Sequence, residues 1–340
     1  MRNTILMLMA VLMLSACGKS GPDTQQWRFA LEEIEGSVQH AYATKFKELI
    51  EERTDGAVEV VVYPYGALGT SAQLTEQVQN GTLQFAFASP GHLGSVVPES
   101  SVVTIHFLFS DDAAVNQKIL SESPTVYGPL AQAYNERGLK LLTLVQEGAM
   151  VWTANRALRK PADFKGFKMR TMVSPMLLET YRAYGANPTP MPYSEVYSGL
   201  QLNTIDGQDN PVFAIEEMSF YEVQSHMIFA NHAPFIASLV ANPMFYDGLD
   251  SETRDILDAV KEEMDDYIFD VQARFERERL EEIRSNSDIE IVELTEEERA
   301  AFREASRPAR DVFREQAGER GARILESLVR EIRAAESAGG

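Results

Sequence analysis

A single cysteine, Cys17, occurs among the 340 residues of the chain. An intramolecular disulfide and a cysteine-based metal cluster are therefore excluded. The histidines (His40, His92, His106, His226 and His232) are scattered, with no pair at the i, i+4 spacing of a helical zinc motif and no His-Glu-x-x-His. They read as packing or surface residues, and no metal or cofactor is expected. No Gly-x-Ser-x-Gly elbow, phosphate-cradling glycine loop or dinucleotide fingerprint is present. Positive charge is also scarce: 31 Lys and Arg against 51 Asp and Glu give 31 − 51 = −20. This acidity argues against nucleic acid and anionic membrane surfaces as partners. An anion site in such a body has to be local, desolvated and built around one specific cation.

What is present begins with a leader. Met1-Arg2-Asn3 is a short basic head, and Thr4 to Ala16 is an almost wholly apolar run of thirteen residues. That is shorter than the roughly 20 residues a membrane span needs, but it suits a secretion signal, 1–16. Leu14-Ser15-Ala16-Cys17 has the form of a bacterial lipobox, which makes Cys17 the expected lipidation site and a lipid anchor the only expected membrane contact. Residues 17–26 are small and polar, as in a tether. No second long apolar run, internal repeat or low-complexity block follows.

Roughly 310 residues remain, more than one core usually serves, so two lobes are expected. Trp27 to Leu31 reads as a buried strand, and a helix opens at Gly36-Ser37 and ends at Asp55-Gly56. Val58 to Tyr63 (VEVVVY) is β-branched and strand-like. Thr70-x-x-Gln73 forms a capping box for the next helix, and Leu83 to Ser89 is a third strand. This βαβαβ rhythm predicts an α/β fold with a mostly parallel sheet. Helices are expected near Ala113 to Leu120, Thr125 to Arg137 and Ser174 to Tyr184. Further strands are expected at Lys140 to Val145, near Val151, at Gly166 to Thr171, near Asn187, and as one or two strands within Ala230 to Ala241. Asp250 to Ile283 lacks Gly and Pro and carries apolar residues at helical spacing. A helix of up to roughly 50 Å follows, long enough to bridge both lobes. Thr295-x-x-Glu298 caps a final helix, ending in a soft tail.

The segment Phe164 to Pro211 concentrates the chemistry. It places Arg170 in a strand-like run, Asn210 in a turn-rich loop, and Tyr193 between two prolines. An always-charged fork donor, a neutral amide and an aromatic ring suit the grip on a small carboxylate and do not suit bond breaking. Asn210 could equally shape a turn, and Tyr193 could be a core ring. Ser89 ends the third strand, where open α/β sheets place ligands. Trp152 is either core or cleft wall, and Glu33 and Gln39 follow the first strand. Met172 and Phe213 are further candidates.

Seven motifs in register resemble the solute-binding proteins of tripartite ATP-independent periplasmic (TRAP) transporters, dicarboxylate-binding branch. They are Glu52-Arg53-Thr54-Asp55-Gly56, Tyr63-Pro64-Tyr65-Gly66-Ala67-Leu68-Gly69, Phe107-Leu108-Phe109, Asp163 to Arg170 (DFKGFKMR), Gly185 to Pro190 (GANPTP), Glu195-Val196-Tyr197, and Asp206 to Pro211 (DGQDNP). The resemblance covers nearly all of the expected mature chain. It implies a two-lobed periplasmic-binding-protein fold with a long helix spanning both lobes and a ligand cleft between them. It further implies closure on a small organic acid and delivery to a sodium-coupled permease. Arg170 is then the carboxylate anchor, Asn210 a ligand contact and Tyr193 a cleft wall. The expected lobes are 27–147 plus 236–275 and 148–235 plus 276–332, with a flexible tail at 333–340 and a monomeric state.

One departure bears on the ligand. In the sialic-acid-binding branch a second arginine follows a Gly-Ala pair about twenty residues before the first, whereas here Gly148-Ala149 is followed by Met150. With Met150 and Trp152 on that flank, the expected ligand has one acid group beside something less polar. A periplasmic enzyme acting on a small acid and a binding protein feeding a sensor are the alternatives. The first would need a paired nucleophile and base or a metal site, and neither is visible in the sequence.

Overall fold

The computed structural model describes residues 24–339; the leader, Cys17 and most of the tether lie outside them. Ten strands form in chain order: β1 (Gln25–Ala30), β2 (Val58–Tyr63), β3 (Phe85–Ala88), β4 (Lys140–Ala154), β5 (Lys168–Thr171), β6 (Asn187–Pro190), β7 (Gly207–Pro211), β8 (His226–Phe229), β9 (Pro234–Ala241) and β10 (Glu290–Glu293). The first lobe holds the order β2-β1-β3-β9-β4. There β1 runs parallel to β2 and β3, and β9 runs antiparallel to β3 and β4. In the second lobe the far half of β4 pairs antiparallel with β7 and β8, and β5, β6 and β10 extend the sheet in parallel.

The expected α/β rhythm is observed, with one topological difference. Lys140 to Val145 and the strand near Val151 are a single strand, β4, fifteen residues long. It pairs with β9 from Lys140 to Ala149 and with β7 from Met150 to Ala154, so it belongs to both lobes. Two register shifts, between Leu141 and Thr143 and between Gln146 and Gly148, bend it at the passage from one sheet to the other. Strand β8 was not anticipated. The helix expected over Thr125 to Arg137 is a π turn, Val126–Leu130, holding Pro129, followed by a short helix, Ala131–Asn135. Pro129 supplies no N–H, which accounts for the break.

Helix starts follow the capping residues. Ser37 Oγ accepts from His40 N at 3.0 Å, and Gln73 Oε1 accepts from Thr70 N at 2.8 Å. Asp250 Oδ1 accepts from Thr253 N at 2.9 Å and opens the long helix Ser251–Asn286. At 1.5 Å per residue its 36 residues span about 54 Å. Leu257, Val260, Met264, Ile268 and Val271 pack in the aromatic core of the first lobe with Trp27, Phe29, Phe46 and Phe85. Ile283, near the other end, packs in the second lobe with Val151, Val212 and Phe220. The expected helix common to both lobes is therefore present.

The last helix, Glu296–Gly339, contains Pro308 and a kink at Gly318, where φ is 63° and ψ −162°. Phe302 packs in the second lobe beside Trp152 and Phe164. Phe313, Ile324, Leu325, Leu328 and Ile332 instead enter the first lobe's core with Leu74, Val78 and Ile119. The segment 276–332, expected wholly in the second lobe, is thus divided between the two. The chain expected to be loose from 333 onward is helical as far as Gly339.

Candidate solute-binding cleft

A cleft of about 250 Å³ lies between the lobes. The first lobe contributes the chain after β1, β2 and β3 (Glu32, Glu33, Gln39, Tyr65, Ser89, His92); the second contributes Arg170, Met172, Tyr193 and Asn210, with Ala214 and Phe235 on the connecting segments. Of the residues singled out in the sequence, Arg170, Asn210, Tyr193, Ser89, Met172 and Glu33 converge here, as does Gln39.

Three others do not. Trp152 is fully buried in the second lobe, its ring stacked on His232 at 4.6 Å and its Nε1 donating to Tyr181 Oη at 2.9 Å. Side chains alternate along β4, and this position faces the core. Phe213 packs in the first lobe's core beside Val145 and Ala237. Met150 lines a small adjoining cavity of about 20 Å³ with His106 and Asp209, which shares Met172 and Phe235 with the cleft. Asn210, expected in a loop, is the fourth residue of β7 and sits opposite Val151 of β4.

Arg170 lies in β5 opposite Thr189 of β6 and is 1% exposed. Its Nε and Nη2 donate to the Met191 carbonyl at 3.3 and 3.0 Å. Among the described residues it forms no ion pair, and no hydrogen bond engages Nη1. Burial lowers its pKa to about 10, which leaves it charged at neutral pH; Tyr193 and Asp209 act in the opposite direction. A buried guanidinium with one edge free and facing a cleft is a ready carboxylate receptor. Beside it, Asn210 Nδ2 donates to Gln208 Oε1. Tyr193 Oη donates to the Ala214 carbonyl at 3.3 Å, and its ring meets the Tyr65 ring edge-on at 5.9 Å.

The opposite wall is acidic. Glu32 Oε2 accepts from Ser89 N at 2.6 Å. Glu33 Oε2 accepts from Gln39 N at 3.2 Å, and Gln39 Nε2 donates to Glu147 Oε2 at 3.4 Å. Burial pushes Glu33 up to about 7, and burial followed by the Glu33 charge pushes Glu147 well above the usual carboxylate range. The two buried carboxyls thus each favour the protonated form, and ionising one opposes ionising the other. Glu217 is pushed up to about 9, first by burial and then by Glu33, and both its carboxylate oxygens lack a donor among the described residues. Facing walls of opposite charge were not visible in the sequence, because Glu32 and Glu33 face Arg170 only in the fold, with Glu147 and Glu217 brought near Glu33 from two further segments.

Behind Asn210, Asp209 faces the other way, and its Oδ2 accepts from Tyr181 Oη and approaches His232 Nε2 at 3.1 Å. The His106 ring lies 4.6 Å from that of His232, and its Nδ1 is 2.9 Å from Tyr184 Oη. Burial, then His232, holds His106 well below the ordinary histidine pKa. His106, Asp209 and His232 place their ligand atoms within 4.8 Å of one another, the metal-competent grouping among the described residues. Read from the sequence as unrelated packing residues, these histidines form a buried polar knot under the cleft floor. His92 lines the cleft itself.

No described helix is long and apolar enough to cross a membrane. A family model, bacterial extracellular solute-binding protein family 7, matches residues 29–316. The ectoine-binding periplasmic protein TeaA of Halomonas elongata is 38% identical over 315 residues, covering 92% of each chain. The ectoine/5-hydroxyectoine-binding periplasmic protein UehA of Ruegeria pomeroyi is 36% identical over 309 residues, 91% of each. Among solved structures, an apo open TRAP periplasmic solute-binding protein from Marinobacter aquaeolei VT8 aligns with a TM-score of 0.85 at 48% identity, covering 89% of this chain and 99% of its own. The ectoine-binding protein of the Halomonas elongata TeaABC transporter aligns at 0.88 and 38%, covering 91% and 100%. The chain belongs to the family 7 extracellular solute-binding proteins, the periplasmic receptors that hand small solutes to TRAP transporters and are not enzymes.

Proposed function

We propose that this receptor captures a small zwitterion, a carboxylate joined to a compact cation of the ectoine type. Arg170 takes the carboxylate and the Glu32–Glu33 wall takes the cation. The observation that carries this reading is the polarity of the cleft: a buried, unpaired guanidinium on one lobe faces carboxyls on the other. A dicarboxylate would place its second anion against that acidic wall, at a cost no nearby cation offsets. A cyclic amidinium would instead favour the ionised form of Glu33 and pair with it. Tyr65, Tyr193 and Phe235 supply the apolar flank for a ring. The ectoine-binding relatives add weight to the same ligand class.

Binding draws the lobes together, since Arg170 and Glu33 stand on different ones. The protein acts as a monomer, tethered through lipidated Cys17 to the periplasmic side of the membrane, and passes its solute to the TRAP permease subunits. In this assignment the first lobe gains 309–332 of the last helix, which packs with its core. Calorimetry of the purified protein with ectoine, succinate and an apolar monocarboxylate tests the ligand class. Ectoine is expected to bind at least tenfold more tightly than either acid. Tighter binding of succinate would overturn the zwitterion reading while leaving the receptor class intact.

A further inference from the structure

A second concavity shares no lining residue with the cleft. It holds about 240 Å³ between the Phe107–Asp111 turn, Asn231 and the last helix. Four arginines line it, Arg299, Arg303, Arg310 and Arg333, against two acids, Asp111 and Glu336. The lining therefore carries 4 − 2 = +2, in a chain whose net charge is −20.

The four cations are not equally engaged. Arg299 pairs with Asp111 and Glu296, and Arg303 pairs with Glu296 at 2.9 Å while lying over the Phe107 ring at 5.3 Å. Arg310 Nη2 donates to the Phe107 carbonyl at 3.1 Å, which leaves most of its fork unused. Neither Arg310 nor Arg333 forms an ion pair among the described residues. Burial, then the charges of Arg314, Arg333 and Arg307, lowers the Arg310 pKa. Like charges crowd this guanidinium, and it cannot shed its proton near neutral pH. Two arginines of one helix that line a polar pocket and pair with no carboxylate among the described residues are suited to fork-shaped recognition of an oxyanion.

We propose that this pocket is a second anion site, in which Arg310 and Arg333 hold a small tetrahedral oxyanion of the phosphate or sulfate class. Arg299 and Arg303 form its rim, and the Arg299–Asp111 ion pair with the Arg303 contact to the Phe107 ring fixes the helix against the Phe107–Asp111 turn. Phosphate could reach it free in solution or as a lipid headgroup. The acidity of the chain as a whole favours the free ion, because an anionic bilayer would repel the rest of the surface.

The test is the unfolding midpoint of the purified protein, titrated with sodium phosphate against sodium chloride at matched ionic strength. Phosphate at about 100 times its Kd is expected to raise the midpoint by roughly 5 °C. Arg170→Gln should keep that response, which separates this pocket from the solute cleft. Arg310→Gln with Arg333→Gln should weaken apparent phosphate affinity at least tenfold. Arg333→Gln alone, at an exposed position that leaves the fold undisturbed, should weaken it severalfold. A phosphate response no larger than that to chloride overturns the proposal. So does an unchanged response in the double variant, or its loss in Arg170→Gln. Sedimentation with phosphatidylglycerol vesicles separates the sources: vesicle binding that needs Arg310 and Arg333, without a response to free phosphate, overturns the free-ion assignment.

Discussion

Arg170 and Met191 are joined by a forked contact, with Nε and Nη2 of the guanidinium both donating to one carbonyl oxygen at 3.3 and 3.0 Å. One edge of the side chain is thereby fixed by β5 and the loop after β6, and the other edge is left for a ligand. The cation is positioned before solute arrives, so binding loses little rotamer freedom at this residue.

Arg170→Met tests the anchor. Charge-assisted bonds contribute about 1.5–3 kcal/mol each, so losing a two-pronged contact should weaken solute affinity at least about 100-fold. The apo protein should unfold at the same temperature or higher, because the variant removes a buried charge that has no carboxylate partner. Calorimetry reads the first effect and a thermal scan the second. Near wild-type affinity in this variant would remove Arg170 from the site.

The acidic wall sets a pH dependence. The Glu33 carboxyl titrates at about 7 in the folded chain, against an ordinary value of 4.5. The folded state therefore holds a proton that the unfolded state releases earlier. That contribution to stability is complete below about pH 4.5 and is lost as pH rises through about 7. Glu217, at about 9, extends the decline. The midpoint of the apo protein should fall from pH 5 to 9. Glu33→Gln should flatten the lower part of that profile and Glu217→Gln the upper part. Ligand binding should run the other way: a cationic solute needs ionised Glu33, so its affinity should rise between pH 6 and 8.

Gly207 opens β7 where no side chain fits. A Cβ there would lie 2.3 Å from the Thr153 carbonyl oxygen and 2.7 Å from the Phe167 ring. Gly207→Ala should cost about 1–3 kcal/mol and lower the midpoint by several degrees. Because β7 must shift away from β4, Asn210 three residues on should move as well, and solute affinity should fall with stability. A variant with a normal midpoint would show that the contact is relieved without moving the strand.

Trp152 separates core from cleft. Trp152→Phe removes the bond to Tyr181 Oη and leaves a gap beside His232 and Phe302. A lower midpoint is expected, with solute affinity changed by less than tenfold. A larger loss of affinity without destabilisation would return Trp152 to the binding surface.

The architecture was legible where the signals are local. The helix start at Ser37, the capping boxes at Thr70 and Thr295, the β-branched run of β2, and the uninterrupted spacing from Asp250 to Ile283 each act within a few residues. What failed was non-local. β4 looked like two strands because Gly148 interrupts its pattern, yet a glycine at a bulge is how one strand changes sheets. Asn210 looked like a loop residue because Asp-Asn-Pro suits turns, while pairing with Val151 of β4 holds it extended. The face of β4 on which Trp152 lies, and the lobe that receives residues 309–332, depend on packing partners far along the chain. The acidic wall and the His106–Asp209–His232 knot are assembled by the fold from distant segments, so spacing alone gave no sign of them.

β4 also limits how the two halves can move. A continuous fifteen-residue strand hydrogen-bonded into both sheets forbids sliding of one lobe past the other, since sliding would break its ladders on both sides. Torsion about the strand axis remains, concentrated at the irregular stretch from Leu141 to Gly148 where the ladders are already interrupted. The torsional stiffness between the lobes is therefore expected to depend on those few residues. Substitutions at Leu141 to Leu144, outside the cleft lining, should alter how quickly solute is released without altering a contact to it.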